Sequence, residues 1–93
     1  MYHRCQNQVF EYDPNKSMTN FDKHGIDFDE AQSLWEDESK IVFPASVTGE
    51  QRFLMVAKHK CKHWTAVYTL RGDNIRIISV RRSRAKEISC YEN

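Results

Sequence analysis

The sequence predicts a small α+β domain, with elements in the order β-α-α-(β)-β-β-β-α, an antiparallel sheet and helices packed on one face. Three observations carry this. The chain has 93 residues, enough for one thin core that buries roughly 60–65 % of the unfolded surface and too few for two. Between residues 13 and 38 the apolar positions follow a helical period with capping residues at both ends, whereas from residue 40 they alternate along strands. Three of those strands are joined by short turns, so they pair antiparallel and need a helical cover. Hydrophobic residues at 40 % and charged residues at 29 % mark a folded chain and not a disordered one.

The elements follow in order. Residues 1–7 form an N-terminal extension to a single domain. Gln8 to Tyr12 alternates and reads as a short strand. Asp13-Pro14 opens a helix, Asp as N-cap and Pro at the first helical position, and Gly25 closes it after His24. Asp27 to Glu30 has the form of a capping box, and Phe28, Ala31, Leu34 and Trp35 share one face of a second helix that ends in Glu36-Asp37-Glu38. Lys40 to Pro44 is a short strand or extended segment that Pro44 confines to an edge. Arg52 to Lys58 and Trp64 to Leu70 are adjacent strands joined at Lys60-Cys61-Lys62. Arg71-Gly72-Asp73-Asn74 is a hairpin turn leading into the strand Asn74 to Val80. Ser83 is placed to cap a last helix with Ala85, Ile88 and Tyr91 on its packing side.

Charge is divided along the chain. Residues 1–50 carry four Lys/Arg against ten Asp/Glu, and residues 51–93 carry ten against three. An acidic half joined to a basic half fits either one surface that meets a polyanion or two halves that neutralise each other. In the last strand, Ile75 and Ile77 are expected to face the core, which puts Arg76 on the opposite face with Ile78 and Val80. A guanidinium projecting from an open sheet face suits a phosphate; a cross-strand ion pair or plain solvation suits it too. Arg81, Arg82, Arg84 and Lys86 crowd the start of the last helix against its dipole, which fits a bound anion, an acidic partner or a solvated basic turn. On the first helix Lys16, Asn20 and His24 align at i, i+4, i+8, with Lys23 beside them. His24 can exchange protons near neutrality, or simply sit favourably at a helix C-terminus.

Other chemistries lack their signatures. His59-x-Cys61-x-His63 has no paired CxxC spacing, so no zinc or other metal site is assigned and no cofactor is expected. Three glycines supply no phosphate loop, and no nucleophile elbow or helix-turn-helix is visible. Trp64, Tyr68 and Phe53 fit core packing better than a base-stacking platform. The three cysteines, Cys5, Cys61 and Cys90, form no disulfide framework. No apolar run follows Arg4 as in a signal peptide, and none approaches the length of a membrane span, so a cytoplasmic location is expected.

Three segments together resemble the BrnT family, toxins of BrnT/BrnA toxin–antitoxin pairs. The first runs from Phe10-Glu11-Tyr12-Asp13-Pro14-Asn15-Lys16 through Asn20 to Lys23-His24-Gly25-Ile26-Asp27-Phe28-Asp29-Glu30-Ala31. The second is Tyr68 to Arg82, and the third is Glu87 with Tyr91-Glu92. Val80 departs from the small alanine usual there, and the loop Lys58 to His63 is unusually basic. The resemblance implies a RelE-like fold and a metal-independent endoribonuclease that cleaves RNA by 2′-OH attack and inhibits translation. It implies neutralisation by a BrnA-like ribbon-helix-helix antitoxin, a toxin–antitoxin hetero-oligomer, and autoregulation through operator DNA contacted only by the antitoxin. In that chemistry Arg76 and Arg81 would stabilise the phosphorane, with His24 or Lys23 transferring the proton and Glu11 a weaker alternative base. Arg52, Arg71, Arg82, Lys16 and Tyr91 would hold the RNA. The rival reading is a catalytically inactive module that binds an antitoxin or a DNA-binding partner.

Overall fold

A computed structural model describes residues 9–47 and 49–93, the side chains of residues 46 and 47 excepted; the expected extension over residues 1–7, with Cys5, lies outside them. The chain runs β1 (Phe10–Glu11), α1 (Pro14–His24), α2 (Phe28–Ala31), a 3-10 turn (Gln32–Glu36), β2 (Ile41–Val47), β3 (Glu50–His59), β4 (Lys62–Arg71), β5 (Asn74–Arg82) and α3 (Ala85–Glu92). The α+β class and the element order are those expected from the sequence. Five strands form one sheet in the order β1-β5-β4-β3-β2.

Local chemistry sets the ends of the elements. Asp13 accepts from the Asn15 amide, Pro14 sits in the first turn, and Gly25 closes α1 at φ 81° in the left-handed region. Asp27 accepts from the Glu30 amide at 2.8 Å. The second helix tightens into 3-10 geometry after one α turn, and Phe28, Ala31, Leu34 and Trp35 are all buried as the shared face requires. Lys60 and Cys61, both at positive φ, make the two-residue turn between β3 and β4. Pro44 lies on β2, an outer strand of the sheet.

One face of the sheet packs on α2 and the 3-10 turn, and α1 lies beside them along β5. Phe28, Leu34, Met55, Ala57, Trp64, Ala66, Ile75, Ile77 and Val80 form its core; a fully buried Leu34 or Phe28 contributes roughly 1.5–3 kcal/mol each. Two buried polar side chains hold α1 in place. Asn20 donates to the Ile26 carbonyl at 2.8 Å and accepts from the Val80 amide at 3.1 Å, and Ser17 accepts from the Phe28 amide at 2.8 Å.

Four details depart from the sequence expectation. The sheet is mixed, because β1 runs parallel to β5, pairing Phe10 with Ile75 and Glu11 with Arg76. Val80 faces the core and is fully buried, because the register between β4 and β5 shifts at Val67/Tyr68 and the extra residue on β5 inverts its alternation. The opposite face therefore carries Arg76, Ser79 and Arg81. Helices do not all share one face: α3 lies over the opposite side, where Thr65, which alternates with the core residues Trp64 and Ala66, meets Glu87 at 2.9 Å. Its N-cap is Arg84, not Ser83, whose hydroxyl is bonded to Thr65 at 2.8 Å, and Ala85 is exposed while Ile88 and Tyr91 are partly covered.

Candidate active site

Arg76 and Arg81 both project from the open face of β5, but their surroundings differ. Arg76 reaches Glu11 with a single long contact, Nη1 to Oε1 at 3.5 Å. Asn74 on the same strand donates from Nδ2 to the other Glu11 oxygen at 2.8 Å. Beside them on β4, buried Thr69 pairs with Arg76 in register and donates to the Gln51 carbonyl at 2.7 Å. Arg52 and Arg71 share Glu50, at 3.6 Å and 3.8 Å. The Arg52 Nε is buried and has no hydrogen-bond partner among the described residues. Arg52, Arg71 and Arg76 against Glu11 and Glu50 leave this end of the face cationic, with guanidinium groups only loosely engaged.

Arg81 is held otherwise. Its Nη1 and Nη2 donate to the two Glu87 oxygens at 2.9 Å and 2.8 Å, a bidentate pair that is three-quarters or more buried. Glu87 also accepts from Thr65 and from the Arg84 amide. The Arg81 guanidinium, with these further donors, pulls the Glu87 carboxyl down to about 2, and Glu87 in turn raises Arg81. The anion that compensates the basic stretch before α3 is thus supplied within the chain. Glu at the third position of the last helix was the available signal in the sequence.

Lys16, Lys23 and His24 gather elsewhere along the same strand. They line a cleft of about 330 Å³ with Asn15, Thr19, Asn20, Ile78 and Ser79, where α1 lies along the outer edge of β5 beyond the short β1. Ser79 shares the open sheet face with Arg76 and Arg81, so the basic side of α1 borders that face. Two expected contributors lie apart from this group. Arg82 is stacked over the Trp64 ring at 5.5 Å and pairs with it in register, on the core-facing side at the sheet's end. Tyr91 donates its hydroxyl to Asp37 at 2.7 Å across the far end of the open face. Burial and the neighbouring Asp37 carboxylate push the Tyr91 phenol up to about 12. Burial alone would raise Asp37, yet hydrogen bonds from Tyr91 and the Lys58 and Ser39 amides leave it below the ordinary carboxylate value.

The histidines of the β3–β4 turn diverge. His59 meets Glu30 at 3.0 Å, and His63, on the opposite face by strand alternation, meets Glu92 at 2.7 Å. Among the described residues no group of three or more metal-capable side chains converges. Trp64 and Tyr68 are buried core residues, with Phe53 stacked on Tyr68 at 5.4 Å. No helix among the described residues is long and apolar enough to cross a membrane.

Comparison with known proteins adds one finding to this geometry. No curated protein matches the chain. A family model described as "Ribonuclease toxin, BrnT, of type II toxin-antitoxin system" matches residues 12–87, which take in α1 with Lys16, Lys23 and His24, all of β2 to β5, and the start of α3 as far as Glu87. The segment matched covers most of the chain and every sheet arginine named above, and the α+β fold agrees with it. The chain belongs to the BrnT family of ribonuclease toxins of type II toxin–antitoxin systems.

Proposed function

We propose that the chain is a metal-independent endoribonuclease that cleaves RNA by attack of a ribose 2′-OH on the adjacent phosphate and so inhibits translation. The observation that carries this reading is the meeting of Lys16, Lys23 and His24 with β5 at Ile78 and Ser79, beside the face that bears Arg76 and Arg81. Attack of the 2′-oxygen builds negative charge on a pentacoordinate phosphorus, and fixed cations stabilise that charge more than the starting diester. Arg76, loosely engaged, takes a non-bridging oxygen. Arg81 stabilises the other non-bridging oxygen once RNA draws its fork away from Glu87, which otherwise neutralises it. His24, with Lys23 beside it, transfers the proton, and Arg52, Arg71 and Lys16 hold neighbouring phosphates. The product carries a 2′,3′-cyclic phosphate.

In this reading a ribbon-helix-helix antitoxin covers the basic face, the two proteins form a hetero-oligomer in the cytoplasm, and the complex meets operator DNA only through the antitoxin. The test is incubation of the purified chain with RNA in EDTA, with Arg76→Ala and Arg81→Ala variants checked for folding by circular dichroism. Cleavage by the native chain with cyclic-phosphate ends, lost in the folded Arg76→Ala variant, supports the reading. A second reading, a non-catalytic module that binds the antitoxin, draws on the closed state of Arg81, whose fork Glu87 occupies. Intact RNA together with tight antitoxin binding favours it.

A further inference from the structure

We propose that Glu11 is the general base of this reaction and that Asn74 is the residue that positions it; the inference rests on the ribonuclease reading above. Glu11 falls one residue before the segment that the family model matches, and its placement comes from the fold. Strand β1 is two residues long. Phe10 is pinned into the core against Trp35, ring centroids 5.1 Å apart, and alternation then sends Glu11 to the open face. Parallel pairing sets it in register with Arg76.

The turn at Gly72, φ 64°, leads into Asn74, whose amide holds Glu11 Oε2 at 2.8 Å while Oε1 lies 3.5 Å from Arg76. One oxygen is therefore fixed and the other is only loosely engaged, on a side chain that is 31 % exposed and open to substrate. The second carboxylate near a β5 arginine, Glu87, differs: its oxygens take four hydrogen bonds from Arg81, Thr65 and the Arg84 amide. Glu11 beside Arg76 repels RNA and lowers its affinity, a cost that proton abstraction accounts for and phosphate binding does not. A single long ion pair at this exposure adds little to stability, about 0–1 kcal/mol.

Glu11 takes the 2′-OH proton as the 2′-oxygen bonds to phosphorus, and Arg76 engages a non-bridging oxygen. The bond from phosphorus to the 5′-oxygen breaks with its electron pair going to that oxygen, which receives a proton from the cationic side of the α1 cleft. Glu11 then returns its proton to solvent.

The experiment compares the native chain, Glu11→Gln, Glu11→Asp, Asn74→Ala and His24→Asn on one short RNA and on the same RNA with a 5′-bridging sulfur at the cleavage position. The sulfur leaves without protonation, so it rescues loss of an acid and not loss of a base. Expected for Glu11→Gln is a fall in kcat of roughly 10²–10⁴-fold with KM unchanged or lower, persisting on the sulfur substrate, with unchanged thermal stability. Glu11→Asp restores part of the rate, Asn74→Ala lowers kcat by a smaller factor, and His24→Asn is rescued by sulfur. Cleavage by Glu11→Gln within three-fold of native, rescue of that variant by sulfur, or parallel loss of RNA binding and stability overturns the assignment while the ribonuclease reading stands. A native chain that cuts neither substrate overturns both.

Discussion

Replacing Glu87 by Gln keeps the shape of the side chain and one oxygen to accept from Thr65 and the Arg84 amide, and removes the charge that faces Arg81 together with the acceptor for its Nη2, which meets an amide NH2 instead. The carboxyl is drawn from 4.5 to about 2 chiefly by the Arg81 hydrogen bonds. At about 1.4 kcal/mol per unit this corresponds to about 3 kcal/mol, which solvent screening at a partly exposed pair reduces to about 2 kcal/mol. Because the folded value is depressed, the contribution is fully present above the unfolded value of 4.5 and disappears as pH falls through about 2. Urea denaturation of the native chain and Glu87→Gln, run in parallel from pH 7 to pH 2, isolates it, since every other carboxylate is common to both proteins. The expected outcome is a variant less stable by about 2 kcal/mol at pH 7, or about 8–16 °C in Tm for a domain of this size, with the two curves converging below pH 4. An offset that stays constant with pH, or one within the ±0.5 kcal/mol of an ordinary surface substitution, refutes the reasoning.

Three further outcomes test the scaffold. Asn20→Ala strands the buried Val80 amide and Ile26 carbonyl and should cost about 2–4 kcal/mol in urea; a loss under 1 kcal/mol means that water or a neighbour replaces both bonds. Gly25→Ala meets no atom within 4 Å, so only its φ of 81° opposes the change, and the expected loss is about 1–2 kcal/mol. The Tyr91 phenol is raised to about 12, so the stability tied to it is complete below pH 10 and is lost as pH climbs from 10 towards 12. Tyr91→Phe should flatten that alkaline limb, and an unchanged limb in the variant assigns it to other groups.

Much of the scaffold is legible in the linear sequence because its signals are local. Asp13, Pro14 and Gly25 bound α1, Asp27 opens α2, and Phe28, Ala31, Leu34 and Trp35 mark a face that the core confirms. The hairpin turns and the edge position of Pro44 follow from backbone chemistry within a few residues. Of the candidate site, Lys16, Lys23 and His24 are readable as one side of a helix, and Arg76 as a guanidinium on the open sheet face, since Ile75 and Ile77 lie in the core. The family resemblance read from three separate segments is the one that the family model shows.

What lay beyond the sequence is what depends on partners far apart in the chain. Glu11 meets Arg76 across 65 positions, and Asn20 meets Val80 across 60; no window of local periodicity spans such pairs. The shift at Val67/Tyr68 is a property of two strands together, and it inverted the side assigned to Val80. Once inverted, the strand presents Arg81 and not Val80 to the open face, where α3 closes over it with Glu87. By itself the sequence determined which elements form and which charges they carry, because caps, turns and period act over a few residues. Tertiary structure alone decided which arginine is closed by a carboxylate and which stands half open beside Glu11, because strand register and helix docking fix the distances between those charges.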